Sequence, residues 1–234
     1  MPLKVLITGF GPFPGAPFNP TEHLVRRLSR RRSQHIPTGR IARVFHVSYA
    51  AVAAELPQLI ARHRPDVILL FGLASRRREL CIETQAVNAR SVLLPDAAGV
   101  LPADRTIDPQ GPSSRLGRAP HKRLLAVARA SGVPARLSRD AGRYLCNFAF
   151  WHALQAAAAA DKPPIVQFVH VPLVRAAPMP VSRRRRRWLT PADLERAGEA
   201  ILSVLVAAAR SAAIQTRPGA DAKPILIQRI AEPA

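Results

Sequence analysis

The stretch DVILLF at residues 66–71 decides the fold, because it is apolar without alternation. A strand that is apolar on both faces is typical of the centre of a parallel sheet with helices on both sides. The segment before it, residues 49–63, has apolar side chains at helical spacing, with Ser48 as a cap and Arg64-Pro65 as a stop. The stretch therefore predicts a central strand that follows a helix.

The same alternation of strands and helices extends along the chain in both directions. The other predicted elements, in chain order, are a strand at 3–8, a helix from Thr21 to about 32, a strand at 41–47, one or two strands at 79–88, a loop at 95–112, a helix at 119–130, a strand at 135–138, a helix at 143–160, a strand at 165–171 and a helix from Thr190 to about 209. Successive strand–helix units give parallel sheets with right-handed crossovers. The order predicts a single three-layer α/β/α domain at 1–214, with a mostly parallel, mixed twisted central sheet, and a C-terminal tail at 215–234.

The composition excludes several classes of protein. With 234 residues, 48% of them hydrophobic and 21% charged, the chain is long enough to bury a core and too apolar to be disordered. Two cysteines and seven scattered histidines make neither a disulfide scaffold nor a zinc module, and we expect no metal and no cofactor. The short apolar run at 1–10 is not a signal peptide, and Arg and Pro interrupt the longer apolar runs. We therefore expect a soluble cytoplasmic protein with no membrane partner.

The charge balance is strongly basic, with a formal net charge of +20. Such a bias raises nucleic acid as a partner. The largest basic cluster is the run of five arginines from Arg183 to Arg187, which only one aromatic residue, Trp188, adjoins. Without a readout motif, the run favours a solvated segment over a nucleic-acid surface, while nucleic-acid binding or a subunit interface stays open as the alternative.

Two polar residues lie where open α/β sheets form their sites, Cys146 at the start of a predicted helix and His170 at the end of a predicted strand, and a third, Glu83, lies in the strand-like run at 79–88. Cys146 lies at a helix start, where the positive end of the helix dipole stabilises a thiolate; the alternative is a small buried hydrophobe. His170 ends a strand and is either a core histidine or the base for a nucleophile. Glu83 is either a surface group or the residue that orients an imidazole. Together they allow a Cys-His-Glu constellation, although patterning alone does not bring them into contact.

A glycine-rich loop at 9–15 follows the first strand. It could cradle a phosphate, but its glycines lack the Gly-x-Gly-x-x-Gly spacing and no Gly-Lys-Ser/Thr follows. Phe10 and Phe13 suggest an apolar pocket wall instead. Packing of both rings into the core is an equally weighted alternative.

Four motifs, in this order, resemble the pyroglutamyl peptidase type I family, the pyrrolidone-carboxylate peptidases. They are TGFGPF at 8–13 with NPT at 19–21, ETQAVN at 83–88, AGRYLCN at 141–147 and HVP at 170–172. The resemblance covers roughly residues 3–210. It implies a cysteine omega-peptidase that removes an N-terminal pyroglutamyl (5-oxoproline) residue from small peptides.

The same resemblance implies roles for individual residues. In the family pattern, Cys146 attacks the carbonyl to form a thioester acyl-enzyme, His170 moves the proton and Glu83 orients His170. The remaining matched positions imply contacts with the substrate, namely Phe10, Phe13, Asn19 and Tyr144. The family also associates into dimers or tetramers, so we expect a homo-oligomer.

The chain departs from the family pattern near the expected substrate mouth. Leu93, in SVLLPD at 91–96, occupies the position of a family Arg. GLASRR at 72–77 replaces a Gly-x-Ala-Gly-Gly-Arg turn, and Phe148 replaces a His after Cys-Asn. The alternative prediction is therefore a family member with altered or lost peptidase activity that acts as a binding or interaction protein.

Overall fold

A computed structural model describes residues 2–30, 38–175 and 188–215. The helices there are Pro20–Arg30 (α1), Tyr49–His63 (α2), His121–Ala130 (α3), Leu145–Ala158 (α4) and Pro191–Gln215 (α5). The strands are Leu3–Phe10 (β1), Thr38–Phe45 (β2), Val67–Leu73 (β3), Leu80–Glu83 (β4), Gln85–Val87 (β5), Ser114–Leu116 (β6), Ala135–Ser138 (β7) and Ile165–Val171 (β8). The Arg183–Arg187 run lies outside the described residues, as does the predicted tail beyond Gln215.

The main sheet has six strands in the order β2-β1-β3-β8-β4-β7. The pair of β4 with β8 is antiparallel, and the other neighbours in this sheet are parallel. β3 contains most of the DVILLF stretch, lies between β1 and β8, and is buried from Val67 to Gly72. The predicted mostly parallel, mixed sheet with a central β3 is therefore confirmed.

Helices cover both faces of this sheet. One hydrophobic cluster joins alternate residues of β1 and β3 to α1, α3 and α5, and a second cluster joins the intervening residues to α2 and α4. On β1, for example, Val5 and Ile7 belong to the first cluster, whereas Leu6 and Phe10 belong to the second. The period of two along a strand produces this division, and the three-layer α/β/α architecture is confirmed.

Local signals define the ends of two helices. Ser48 caps α2, because its Oγ accepts a hydrogen bond from the Ala51 N–H at 3.1 Å, and Arg64 ends the helix in the left-handed region with φ 45°. At the start of α5, the Asp193 carboxylate accepts from the Thr190 N–H at 2.8 Å, and the Thr190 hydroxyl accepts from the Asp193 N–H at 3.2 Å. This reciprocal pair is a capping box and fixes the entry into α5.

α5 is the only helix in the described ranges that is long and apolar enough to cross a membrane, with a mean hydropathy of 1.5. Ten of its residues are buried, and it packs on α1, α3 and the strands β3 and β8. These contacts are those of the core helix of an α/β domain.

The middle of the chain differs most from the sequence prediction. Residues 79–88 form two strands, β4 and β5, and the loop predicted at 95–112 is confirmed. β6 was not predicted, because it has only three residues and follows a proline-rich loop without its own alternation. It forms an antiparallel pair with β5, apart from the main sheet.

Candidate functional site

The carboxyl ends of three neighbouring strands lie at one edge of the sheet, and the candidate site lies there on the face that α4 covers. Phe10 ends β1, Gly72 lies near the end of β3, and His170 lies near the end of β8 directly opposite Gly72. The residues on either side of His170, Val169 and Val171, pack on the opposite face. His170 therefore points towards α4, into the crevice where open α/β sheets place their sites.

α4 brings Cys146 to this crevice. Cys146 is the second residue of the helix and is partly exposed. Its thiol lies so close to β3 that a Cβ built on Gly72 would be 2.6 Å from the Cys146 Sγ. Gly72 thus leaves the room that the thiol occupies, beside His170 on the adjacent strand.

Glu83 lies on the other side of His170. The ring Nδ1 of His170 is 2.8 Å from the Glu83 Oε1, and both side chains are buried, with 7% and 0% of their surface exposed. Burial lowers the pKa of His170, but the charge and hydrogen bond of Cys146 and those of Glu83 outweigh it and raise the pKa to about 9. The structure therefore brings Cys146, His170 and Glu83 together and favours an imidazolium beside the thiol at neutral pH.

Three of the predicted substrate-binding residues form an apolar wall near Cys146. Phe10 is buried and its ring centroid is 6.1 Å from that of Phe45. Phe13, Tyr144 and Cys146 are partly buried against the same cluster. The Tyr144 hydroxyl donates to the Pro95 carbonyl at 2.9 Å, which fixes its ring. The wall is thus built from the first loop and from the residues that lead into α4.

Asn19 has a different environment from these aromatic residues. Its Nδ2 donates to the Gly11 carbonyl at 3.0 Å, and its Oδ1 accepts from the Thr21 N–H at 3.1 Å. The Thr21 hydroxyl in turn accepts from the Phe10 N–H at 3.0 Å. Both ends of the Asn19 amide are therefore engaged within the loop. We expect Asn19 to shape the pocket by fixing Phe10, not to contact a substrate directly.

Two asparagines to which no role was assigned from the sequence organise the site. Asn147 is fully buried; its Oδ1 accepts from the Val87 N–H at 2.9 Å, and its Nδ2 donates to the carbonyls of Val87 and Ala89, each at 2.8 Å. Asn88 bonds the loop at 107–111 through both its Oδ1 and its Nδ2. Their positions in the Cys-Asn and Glu-x-x-Ala-x-Asn motifs were the available signal.

Arg77 is a further residue that sequence reasoning did not single out. Its Nη1 donates to the Glu83 Oε1 at 2.9 Å, and its Nη2 donates to the Asp140 carbonyl at 2.9 Å. In the sequence it is hidden in the triplet at 76–78, although it ends the GLASRR turn where the family pattern also has an Arg.

The residues that depart from the family pattern lie around this site. Leu93 is 80% exposed, in a segment held by a hydrogen bond from the Ser91 N–H to the Arg143 carbonyl. Phe148 is buried, with its ring centroid 5.0 Å from Tyr49 and 4.4 Å from His152. Phe148 is therefore a packing residue, whereas Leu93 offers its side chain to solvent next to the segment that leads to Cys146.

Comparisons with known proteins identify the family of this chain. The family model for pyroglutamyl peptidases matches residues 3–183. A pyrrolidone-carboxylate peptidase of Thermococcus onnurineus is 34% identical over 172 residues, which are 74% of this chain and 84% of the relative. The solved pyrrolidone carboxyl peptidase of Thermococcus litoralis has a TM-score of 0.79 at 27% identity, covering 90% of this chain and 96% of that one. Pyroglutamyl peptidase I of Bacillus amyloliquefaciens has a TM-score of 0.77 at 25% identity, over 88% and 97%. The chain therefore belongs to the pyroglutamyl peptidase family and is a cysteine peptidase.

Proposed function

We propose that this protein hydrolyses the peptide bond after an N-terminal pyroglutamyl residue, with Cys146 as nucleophile, His170 as general base and acid, and Glu83 as the residue that orients His170. The observation that carries the proposal is the 2.8 Å contact between the His170 Nδ1 and the Glu83 Oε1. It leaves the Nε2 of the ring for Cys146, whose hydrogen bond and charge help to raise the pKa of His170. This is the relation between nucleophile, base and orienting group that acyl transfer requires.

The proposed reaction has two halves. The Cys146 thiolate attacks the pyroglutamyl carbonyl carbon, and as the C–N bond breaks, His170 gives its proton to the leaving amine. The result is a thioester between Cys146 and the pyroglutamyl group. His170, now neutral, takes a proton from water, which attacks the thioester carbonyl and releases pyroglutamate and the thiolate. The buried Glu83 carboxylate holds the ring and its positive charge through both halves.

The start of α4 supplies donors for the developing oxyanion. The first N–H groups of a helix have no partner within it, and here the capping residue, Tyr144, makes no side-chain hydrogen bond to them. The backbone N–H of Cys146 belongs to this group and lies next to its own thiol. We assign it to the oxyanion hole.

The wall beside Cys146 suits the acyl group of such a substrate. A pyroglutamyl residue is a small neutral lactam that needs an apolar slot with a few polar partners, and Phe10, Phe13 and Tyr144 provide the apolar part. Proline has a ring of the same size but lacks the lactam carbonyl. A slot that hydrogen-bonds this carbonyl rejects proline, because its polar groups would be left unpaired.

The test is turnover of the pyroglutamyl amide of aminomethylcoumarin, with the prolyl and glutamyl amides as matched controls. We expect release of the fluorophore from the pyroglutamyl amide, and kcat/KM at least about 100-fold lower for the prolyl amide. Equal rates for the two ring amides would contradict recognition of the lactam. Absence of turnover with all three would favour the binding-protein alternative, which Leu93 and the changed mouth suggest.

The dependence of the rate on pH tests the role of His170. Its pKa in the folded protein is raised from 6.5 to about 9, so we expect kcat/KM to fall above about pH 9, where the proton for the leaving amine is lost. The raised pKa also means that protonated His170 stabilises the folded state. This stabilisation is fully present below about pH 6.5 and is lost as the pH rises through about 9. The measurements are kcat/KM and thermal unfolding between pH 6 and 10. In Glu83→Gln the alkaline limb should move to lower pH, because a charge that raises the pKa of His170 is removed; an unmoved limb would count against the pairing.

A further inference from the structure

The three consecutive arginines at 76–78, in the turn between β3 and β4, have different environments. Arg77 donates to the Glu83 Oε1 and to the Asp140 carbonyl, each at 2.9 Å, and its side chain is 24% exposed. Arg76 is exposed, and the Arg78 guanidinium lies 5.5 Å from the centroid of the Trp188 ring. Only Arg77 of the triplet contacts the site.

The turn that carries Arg77 is attached to the strand that carries His170. The Arg77 N–H donates to the Ala74 carbonyl at 2.9 Å, and the Ala74 N–H donates to the Val171 carbonyl at 2.9 Å. Val171 directly follows His170. These bonds fix the backbone from which the Arg77 side chain extends. Its guanidinium then connects this turn to β4 through Glu83 and to the loop at 139–142, which leads to Cys146.

The Glu83 carboxylate receives two cationic donors on one oxygen. Its Oε1 is 2.8 Å from the His170 Nδ1 and 2.9 Å from the Arg77 Nη1, while its side chain is fully buried. A buried carboxylate is costly unless a permanent cation pairs with it.

Arg77 is suited to be that permanent cation. Burial lowers the pKa of Arg77, but its contacts with Cys81 and Glu83 outweigh burial and hold the pKa above its ordinary value. The other titratable or charged groups facing this cluster are Cys81 on β4, Cys146 on α4 and Arg136 on β7, which pairs with Glu79 at 3.1 Å. Among these groups, Arg77 is the one whose guanidinium donates a hydrogen bond to Glu83.

We propose that Arg77 is a positioning residue that pairs with the buried Glu83 carboxylate and holds its Oε1 directed at His170, and so keeps the His170 ring in place beside Cys146. Through its second bond it also holds the loop at 139–142, which fixes the approach of the chain to the nucleophile. The inference rests on the proposed function for the roles of Cys146, His170 and Glu83. The side-chain hydrogen bonds of Arg77 go to Glu83 and to the Asp140 carbonyl, so Arg77 acts through Glu83 and not on the thiol directly.

The experiment measures alkylation of Cys146 by iodoacetamide as a function of pH, quantified by mass spectrometry on the peptide that contains Cys146. This readout needs no substrate, so it stays informative if the pyroglutamyl assay fails. In Arg77→Met we expect alkylation at pH 7 to slow about 10-fold, because a His170 ring that is no longer held in place pairs less well with the thiol. Arg76→Met and Arg78→Met are matched controls from the same triplet and should follow the wild type.

Kinetics give the second readout. Arg77→Met should lower kcat about 100-fold with KM within about threefold, as is typical when an outer partner of a reacting group is lost. Arg77→Lys keeps the charge but cannot bridge both acceptors, so its alkylation rate at pH 7 should stay near that of the wild type while kcat falls about 10-fold. This variant carries the test if Arg77→Met does not fold. An alkylation rate at pH 7 that is unchanged or faster in Arg77→Met, or as slow in Arg77→Lys as in Arg77→Met, overturns the proposal.

Discussion

Replacing Cys146 with alanine is expected to reduce turnover of a pyroglutamyl amide at least about 10⁴-fold, because no other side chain at the site can form the acyl-enzyme. The partly exposed thiol lies at the edge of the core, so its loss leaves no large cavity, and we expect the melting temperature to stay within a few degrees of the wild type. Steady-state kinetics together with thermal unfolding separate the chemical effect from a loss of folded protein.

The second cysteine provides an internal control for this result. Cys81 is fully buried, and burial raises the pKa of its thiol, so it should resist alkylation in the folded protein. One equivalent of iodoacetamide should therefore inactivate the wild type and label Cys146 alone. Turnover that survives in Cys146→Ala, or inactivation that follows labelling of Cys81, would remove Cys146 from the mechanism.

Much of the fold is predictable because its signals are local. The ends of α2 and β8 agree with the prediction to the residue, since a cap and a stop define α2 and a short apolar run defines β8. The three-residue strand β6 was missed because its strand character comes from pairing with β5, about thirty residues away in the chain. A short window of sequence contains no signal for strand pairing between residues so far apart in the chain.

The site was predictable as a set of residues but not as an arrangement. The motifs identify Glu83, yet its contact with His170 depends on β4 pairing antiparallel with β8, which sets Cys81 opposite His170. Arg77 was overlooked for a similar reason. The turn that leads into β4 places it beside Glu83, whereas in the sequence it is one of 35 lysines and arginines.

The net charge of +20 suggests a nucleic-acid partner, but the described structure gives less support to this interpretation. Within the described ranges several arginines are paired, such as Arg40 with Glu199 at 2.9 Å and Arg77 with Glu83. The Arg183–Arg187 run lies outside those ranges, so the nucleic-acid alternative is untested. The homo-oligomer, the cytoplasmic location and the domain boundary at residue 214 likewise stay predictions.

Replacing Gly72 with alanine is expected to lower kcat/KM about 100-fold, although Gly72 has no functional group. A Cβ at this position would lie 2.6 Å from the Cys146 Sγ and 2.7 Å from the Phe168 Cζ, and both distances are too short for real contacts. The Phe168 ring is packed against Phe150 and His170, so the thiol is the group free to move. A displacement of the nucleophile by about 1 Å is enough for a loss of this size.

Gly39→Ala is the matched control, because it adds the same methyl group to β2, where nothing lies within 4 Å of the new atom. It should keep the wild-type rate. In Gly72→Ala we expect the alkylation of Cys146 at pH 7 to slow together with kcat/KM, since both depend on the distance between the thiol and His170. A wild-type rate in Gly72→Ala would mean that β3 does not set the position of the thiol. A loss of activity with unchanged alkylation would instead assign the close contact at Gly72 to the binding of substrate, because the pairing of Cys146 with His170 would then be intact.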